Sequence, residues 1–344
     1  MHTSPPRINA WISWNAPHCG QAAHSVIAPT SRRLSALPGL AAAVVPRGAT
    51  LRVAVEVSGI MCMMKFGLFG INNGALADPD SSVRAAQAAE AVGFDSVWTG
   101  EHVVLPDPQE PPSPAPPHVP MLDPAVALAY VAAHTSTIAL ATGIIILPQR
   151  IPLVLAKELA SVDVVSKGRL WFGYAAGYLH QEFAALGIPF DDRGAHCDEF
   201  LDAMLELWDS ESPTFAGETV RFSGIDAHPR PVQRPHPRLI VGGQSPPAFR
   251  RAVRRANGWY GFAMPPDAVA KCIDGLERAA AEIDRAPELG ELELTVTPPA
   301  GPVDGDTVDK YRQLGVARLV MLPRARDVES IIQFVTDTAE AHQG

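Results

Sequence analysis

Few side chains in this sequence have the types and spacing that catalysis usually requires. The 344 residues contain no Gly-x-Ser-x-Gly, no His-Glu-x-x-His and no pair of carboxylates at a telling spacing. Two stretches, 173–177 and 242–245, instead place small residues directly after an apolar run. Such a turn lets backbone N–H groups approach a ligand, and phosphate is the usual ligand. The alternative is that each turn only closes an ordinary strand-to-helix connection.

The polar candidates lie near two other predicted strand ends. Asn72 and Asn73 follow the first strand and carry amides that can fix a ligand. Glu101 and His102 follow the second strand. His102 is the one candidate for acid–base work, with a capped structural histidine as the alternative. Glu101 is interpreted as a solvated charge on the rim.

Short apolar runs alternate with helical patterns from residue 65 onward. The predicted strands span 65–70, 96–99, 138–146, 169–173, 239–243, 258–262, 292–297 and 318–322. The predicted helices span 80–92, 123–134, 152–166, 193–209, 246–256, 266–284, 307–314 and 325–341. This alternation is typical of a parallel sheet that is buried on both faces.

Eight such units predict an α/β fold of the (β/α)8 TIM-barrel type, with insertions after strands 2 and 4. An open sheet would carry a dinucleotide fingerprint after its first strand, and residues 70–74 do not match Gly-x-Gly-x-x-Gly. In a barrel all strand ends share one rim, so the candidate residues should converge there. The insertion at 107–120 is rich in proline, and we expect it to form a stiff lid or substrate wall. Residues 215–222 predict a hairpin.

Apolar side chains of the predicted helix 193–209 form a stripe that belongs either to the core or to a dimer interface. They are Phe200, Leu201, Met204, Leu205 and Trp208. Trp208 itself, like Trp98 in the second strand, is interpreted as a core residue.

The composition limits the class of protein. Hydrophobic residues make up 47% and charged residues 19%, which suits a large core. The net charge of −9 argues against a nucleic-acid or anionic-membrane surface, and no uninterrupted run of 18 apolar residues predicts a membrane span. The four cysteines are scattered, so we expect reduced thiols in a cytoplasmic protein.

Residues 1–60 differ from the rest of the chain because they mix Pro, Ser, His and Arg without a sustained period. We expect a disordered or loosely packed leader, with translation of the native product starting near Met61–Met64. A transit or export segment is the alternative. The domain itself is predicted to span 61–344.

From Met64 onward the sequence resembles the bacterial-luciferase-like monooxygenases, a superfamily of TIM-barrel oxidoreductases that use flavin or deazaflavin. The similarity rests on blocks that occur in order: 89–98, 101–102, 138–144, 148–152, 156–163, 166–170, 182–183, Arg193, 198–199, 230–235 and 240–245. Within the superfamily the pattern is most similar to F420-dependent oxidoreductases of actinobacteria.

This resemblance implies a cofactor, F420 or alternatively FMN, that lies across the barrel mouth. A bulge in the third strand, often with a non-prolyl cis peptide, would back the ring, and His102 would be the catalytic residue beside it. The implied cofactor-binding residues are Thr142, Gly143 and Ile144 at the bulge, and Gly173, Ala175, Ala176, Gly177, Gly242, Gly243 and Gln244 at the phosphate turns. Ala175 departs from the family pattern, where the position is glycine. If it needs a positive φ, alanine costs about 1 kcal/mol there.

Three hypotheses about function follow from the resemblance. The first is an oxidoreductase that transfers a hydride between F420 and a small organic substrate. The second is an FMN-dependent monooxygenase of the same fold that uses reduced flavin and oxygen. The third is a non-catalytic flavin-binding relative, which Ala175 favours. The implied partners are the small-molecule substrate, a second copy of the chain in a homodimer, and a flavin or F420 reductase.

Overall fold

The structure is a computed structural model that describes residues 63–343. The predicted leader, residues 1–60, and the proposed start near Met61–Met64 lie outside or at the edge of these residues. The strands are β1 (Lys65–Phe69), β2 (Ser96–Thr99), β3 (Ala139–Thr142), β4 (Ile145–Ile146), β5 (Leu170–Ala175), β6 (Phe215–Ala216), β7 (Arg221–Phe222), β8 (Arg238–Gly242), β9 (Gly258–Gly261), β10 (Glu293–Val296) and β11 (Val316–Met321).

Helices connect these strands along the chain. They are α1 (Pro79–Ala91), α2 (Pro124–Ala132), α3 (Pro152–Val165), α4 (His180–Ala185), α5 (Arg193–Asp209), α6 (Pro246–Arg255), α7 (Pro266–Glu282), α8 (Gly305–Gln313) and α9 (Val328–Gln343). Short 3-10 turns occupy Gly74–Ala77, Leu147–Gln149 and Pro287–Leu289. In the part of the chain that the structure describes, no helix is both long and apolar enough to span a membrane.

The main sheet closes on itself as a parallel barrel of eight strands. The order around the barrel is β3-β2-β1-β11-β10-β9-β8-β5, and pairing of β3 with β5 completes the circle. The predicted (β/α)8 barrel is therefore confirmed. The insertions also follow strands 2 and 4: a long loop precedes α2, and α4, α5 and the antiparallel β6–β7 hairpin separate β5 from β8.

The third barrel strand is shorter than predicted. A single strand was expected over 138–146, but the ladder stops at Thr142 and resumes at Ile145 as β4, which pairs with β5. The two residues between them form a bulge, and the peptide bond from Gly143 to Ile144 is cis. Gly143 still donates its N–H to the Thr99 carbonyl at 3.0 Å, so the bulge stays attached to β2.

Two hydrophobic clusters stabilise the barrel. The larger one fills the space between the strands and the surrounding helices and includes Phe200, Leu201, Met204 and Trp208 of α5. The apolar stripe on α5 therefore belongs mainly to the core of the chain, as does Trp208. The smaller cluster fills the barrel interior, where Trp98 stacks on Tyr260 at 4.9 Å between ring centroids. Both tryptophan predictions are confirmed.

A buried ion network closes the barrel at the N-terminal ends of its strands. Arg318 is 1% exposed and donates to both carboxylate oxygens of Asp95 at 2.7 to 2.9 Å. It also donates to Glu293, which accepts ion pairs from Arg238 at 3.1 Å and Lys65 at 3.2 Å. Charges this far from the opposite rim contribute to stability rather than to chemistry.

Glu293 makes this stability depend on pH. Burial alone would raise its pKa, but Arg318 and Arg238 hold the pKa of Glu293 at about 2, against 4.5 for the free side chain. A lowered folded-state pKa stabilises the fold above the unfolded value and loses that effect as pH falls. The contribution is about 3 kcal/mol at pH 7 and about 1 kcal/mol at pH 3.

We expect Glu293→Gln to be less stable than the unsubstituted protein at pH 7, by about 2–3 kcal/mol, and to approach it at pH 3. Urea unfolding at both pH values measures the difference. A gap of the same size at pH 3 would contradict this assignment of the pKa.

Candidate functional site

The C-terminal ends of the barrel strands bring the sequence-predicted residues to one rim. Gly173 pairs with Ile240, and Tyr174 pairs with Val241, so β5 and β8 run side by side. The turns predicted at 173–177 and 242–245 begin later than expected, because β5 continues to Ala175 and β8 to Gly242. The segments 176–177 and 243–245 that follow these strands are therefore neighbours. The bulge at 143–144 lies on the other side of β5.

Glycines on β5 and β8 let Thr142 and Ile144 pack directly against these strands, where Ile144 forms the floor of the mouth. A Cβ atom at Gly242 would lie 3.2 Å from the Ile144 side chain, and one at Gly173 would lie 2.0 Å from the Thr142 carbonyl oxygen. Thr142 is fully buried, and its hydroxyl both donates to the Gly173 carbonyl at 2.7 Å and accepts from the Gly173 N–H at 2.8 Å. Its side chain therefore binds β5, and Ile144 is the side chain that forms the floor.

Ala175 does not have the strained backbone that the sequence comparison suggested. It is the last residue of β5 and pairs with Ile146. Among the described residues other than glycine, only Lys167 and Ala263 have a positive φ. The cost of about 1 kcal/mol, which applies only if the position needs a positive φ, does not arise, because the position is ordinary extended backbone. This removes the backbone-strain argument for a non-catalytic relative.

Gly177 is the residue of this turn that requires glycine. Its φ is 83°, and a Cβ there would lie 2.6 Å from Ile146 Cγ2. Ala176 lies between Gly177 and Ala175 and is half-buried. The carbonyl of Gly177 accepts a bond from Arg193 Nε at 3.3 Å, which attaches the turn to the start of α5.

The second turn leads directly into the N-terminus of α6. Gly243 has a φ of 116°, and its carbonyl accepts a hydrogen bond from Trp259 Nε1 at 2.8 Å. Gln244 is exposed, and the Ser245 hydroxyl accepts from Ala248 N at 3.4 Å as the cap of the helix. The first two residues of α6, Pro246 and Pro247, carry no N–H, and the Ala248 N–H is bonded to Ser245. An anion at this position would therefore meet the backbone of residues 243–245 and the positive end of the helix dipole.

His102 lies at the same rim in a chain of three polar groups. Its Nδ1 is 3.1 Å from Glu182 Oε2, and its Nε2 is 3.4 Å from the Tyr178 hydroxyl. The other Glu182 oxygen accepts from the Val103 N–H at 2.6 Å, which fixes the start of the long loop. Glu182 and Tyr178 were not among the predicted site residues. They are 80 and 76 residues from His102, and only barrel closure brings them together.

Glu101 is buried, so its interpretation as a solvated rim charge is wrong. Arg150 donates to it from Nε at 3.0 Å, and Ile146 donates its backbone N–H. Arg150 also contacts Asp123, the cap of α2, at 2.7 Å. Burial raises the pKa of Glu101, and Arg150 opposes this. Glu101 binds the backbone next to the bulge, and Arg150 binds the cap of α2, so the pair connects the bulge to α2.

Asn72 also has a structural role. It is fully buried, its amide donates to the carbonyls of Gly100 and Leu122, and its Oδ1 accepts the Gly100 N–H at 2.9 Å. These bonds use the groups that were expected to fix a ligand. They hold the C-terminal end of the proline-rich loop against the rim, where Gly74 also donates to Pro120 at 2.9 Å.

Comparison with known proteins identifies the architecture. A family model described as luciferase-like monooxygenase matches residues 58–340. The chain belongs to the luciferase-like monooxygenase family. The resemblance inferred from the sequence blocks is therefore confirmed, and the cis Gly143–Ile144 bond lies where that resemblance implied one.

Two curated relatives are similar to this chain over different shares of its length. An uncharacterized protein of Mycobacterium tuberculosis is 28% identical over 261 residues, which cover 73% of this chain and 90% of that protein. The FMNH2-dependent dimethylsulfone monooxygenase of Pseudomonas putida is 30% identical over 142 residues, 40% of this chain and 39% of that enzyme.

A solved F420-dependent secondary alcohol dehydrogenase, in complex with an F420–acetone adduct, superposes with a TM-score of 0.67. It is 16% identical, and the match covers 82% of this chain and 100% of that one. At this identity the likeness shows the fold alone. Members of the family are oxidoreductases and monooxygenases, and both F420 and FMN occur in proteins of this fold.

Proposed function

We propose that this protein is an F420-dependent oxidoreductase that transfers a hydride between the deazaflavin and a small organic substrate. One observation carries the proposal: the floor that Ile144 forms against the glycines of β5 and β8 lies at the same rim as a hydrogen-bonded chain of Glu182, His102 and Tyr178, which we call the relay. A flat ring could pack on this floor, and the relay could move a proton to or from a substrate beside it. The hard chemistry is then left to a cofactor.

The residues at the mouth fit a flat cofactor with a phosphate tail. Ile144 and the backbone of the bulge would back the ring, because glycine at 242 and 173 lets Ile144 pack directly against β5 and β8. Gly173 donates its N–H to Thr142, and residues 173–175 and Gly242 lie within β5 and β8. The backbone of residues 176–177 and 243–245, with Gln244 exposed beside it, would therefore hold the phosphate. When bound, a deazaflavin supplies a ring carbon in place of N5, which exchanges hydride and activates oxygen poorly.

The chain's own contribution would be orientation, exclusion of water and movement of one proton. The proline-rich loop 107–120 would form the substrate wall, because its C-terminal end is bound to the rim through Asn72 and Gly74. The exposed side chains of Val103, Val104 and Phe262 lie on strand-end segments at this rim. We therefore expect a substrate with a substantial apolar part.

The second candidate is an FMN-dependent monooxygenase with a separate flavin reductase. The name of the Pseudomonas putida relative favours it, since that enzyme is named for reduced FMN. The phosphate turns and the flat floor would serve FMN equally well. The proposal also includes a cytoplasmic location and a homodimer. It includes no nucleic-acid or membrane partner, because a net charge of −9 is unfavourable for binding either nucleic acid or an anionic membrane.

Parallel titrations with F420 and with FMN test the proposal. Purified protein is titrated with each cofactor, and the fluorescence of the cofactor is followed. We expect saturable binding of F420 and at least tenfold weaker binding of FMN. Tight binding of FMN alone would replace the proposal with the monooxygenase, and binding of neither cofactor would contradict both.

A further inference from the structure

Tyr178, and not His102, is the member of the relay that a ligand at the mouth can touch. The His102 side chain is 8% exposed and that of Glu182 is 0% exposed. Tyr178 is 48% exposed, and its ring meets the His102 ring edge-on at 5.9 Å between centroids. The phenol therefore covers the imidazole from the solvent side, although the sequence pointed to His102 as the catalytic residue.

The hydrogen bonds of the relay have a definite direction. Burial opposes ionisation of Glu182, but the bonds from His102 and from Val103 N–H hold the pKa of Glu182 below its usual range. An ionised carboxylate only accepts, so the proton of a neutral His102 ring resides on Nδ1. Nε2 is then an acceptor, and the Tyr178 hydroxyl donates to it. Burial, and secondly Glu182, raise the pKa of Tyr178, which keeps the phenol protonated at neutral pH.

In this resting form the relay can take up one more proton. Tyr178 can accept a proton on its oxygen while it passes its own to Nε2. The resulting imidazolium would lie 3.1 Å from the Glu182 carboxylate, which stabilises the positive charge. The neighbouring Glu101 carboxylate is turned away toward Arg150.

We propose that Tyr178 is the catalytic residue that accepts a hydroxyl proton from an alcohol substrate, with His102 and Glu182 as positioning residues behind it. The inference rests on the proposed function. In the balanced step, oxidised F420, if bound, would accept the C–H hydride of the alcohol, and the O–H proton would pass to Tyr178. The proton of Tyr178 passes to His102 Nε2, and the products are a carbonyl compound, reduced F420 and an imidazolium ion.

The other tyrosines are placed where they cannot perform this role. The Tyr260 hydroxyl bonds Thr297 in the barrel interior at 2.6 Å, and Tyr311 donates to the Met264 carbonyl at 2.6 Å. Tyr174 is fully buried in the cluster between strands and helices. Tyr130 is exposed but lies on α2, outside the barrel, which makes Tyr130→Phe a matched control for Tyr178→Phe.

The first test needs no cofactor. Nitrogen-15 NMR of ring-labelled histidine reports the tautomer of His102, whose signals are assigned by their loss in His102→Gln. We expect a proton on Nδ1 and an Nε2 signal that moves to the position of an unbonded acceptor in Tyr178→Phe but not in Tyr130→Phe. A proton on Nε2 in the neutral ring, or no response to Tyr178→Phe, would overturn the proposal.

The second test follows the reduction of F420 by its absorbance, with a panel of primary and secondary alcohols as probes. Tyr178→Phe should lower the rate by about 10²- to 10⁴-fold while its F420 affinity stays within about twofold of the unsubstituted protein. Equal rates, or no turnover of any alcohol by the unsubstituted protein, would overturn the proposal. Failure of F420 to bind would instead defeat the proposed function, and the NMR result would still stand.

Discussion

Gly173→Ala is expected to destabilise the barrel by more than about 3 kcal/mol and to abolish cofactor binding at the mouth. A Cβ atom at this position would lie 2.0 Å from the Thr142 carbonyl oxygen and 3.2 Å from Ile144 Cγ2. The first of these neighbours is backbone, and the hydroxyl of Thr142 bonds both the N–H and the carbonyl of Gly173. The strands must therefore separate, since no side-chain rotation relieves the contact.

Gly305→Ala is the matched control for this substitution. Gly305 is the first residue of α8, and a Cβ there would meet nothing within 4 Å. We expect a change between zero and a gain of about 1 kcal/mol, because alanine restricts the unfolded chain. Urea unfolding of both variants makes the comparison. A loss of less than about 1 kcal/mol in Gly173→Ala would contradict the close approach of β3 and β5.

Arg150→Met should destabilise the fold by about 3–5 kcal/mol at pH 7, because it leaves the buried Glu101 carboxylate without its partner. The Glu101 side chain is 2% exposed, and Arg150 also contacts Asp123 at the start of α2. Burial raises the pKa of Glu101, so the variant can recover by taking up a proton. The loss should therefore shrink as the pH is lowered from 7 to 5.

Arg84→Met provides the comparison with an exposed ion pair. Arg84 and Glu329 form a bond of 2.7 Å, but their side chains are 49% and 71% exposed. Pairs of this kind contribute about 0–1 kcal/mol. Equal losses in Arg84→Met and Arg150→Met would contradict a buried charge at the rim, whereas partial recovery in Glu101→Gln/Arg150→Met would support it.

The barrel could be predicted from the sequence because its signal is local. Each strand is a short apolar run, and helices such as α2 begin with Asp-Pro, so the alternation is visible without any knowledge of pairing. The shared rim then follows from the geometry of parallel strands. This reasoning placed the turns after β5 and β8 beside each other, as their register requires.

The details of the site could not be predicted, because they depend on contacts between distant segments. The burial of Glu101 depends on Arg150, which lies 49 residues later, and the role of His102 depends on Glu182 and Tyr178. The strain expected at Ala175 was inferred from a glycine in relatives, but β5 continues through this position as regular strand. The bulge that divides the third strand left no signal in its apolar pattern, which is continuous from 138 to 147 apart from Thr142 and Gly143.

The most direct measurement of the central claim compares F420 with its deazaflavin core, which lacks the phosphate and the tail. If the segments 176–177 and 243–245 hold the phosphate, F420 should bind at least tenfold more tightly than the core. Gln244→Glu places a negative charge at the start of α6, so it should weaken F420 binding about tenfold without affecting the core. Gln87→Glu, an exposed substitution on α1, is the control. Equal affinity for F420 and the core, or an unchanged F420 affinity in Gln244→Glu, would contradict the account.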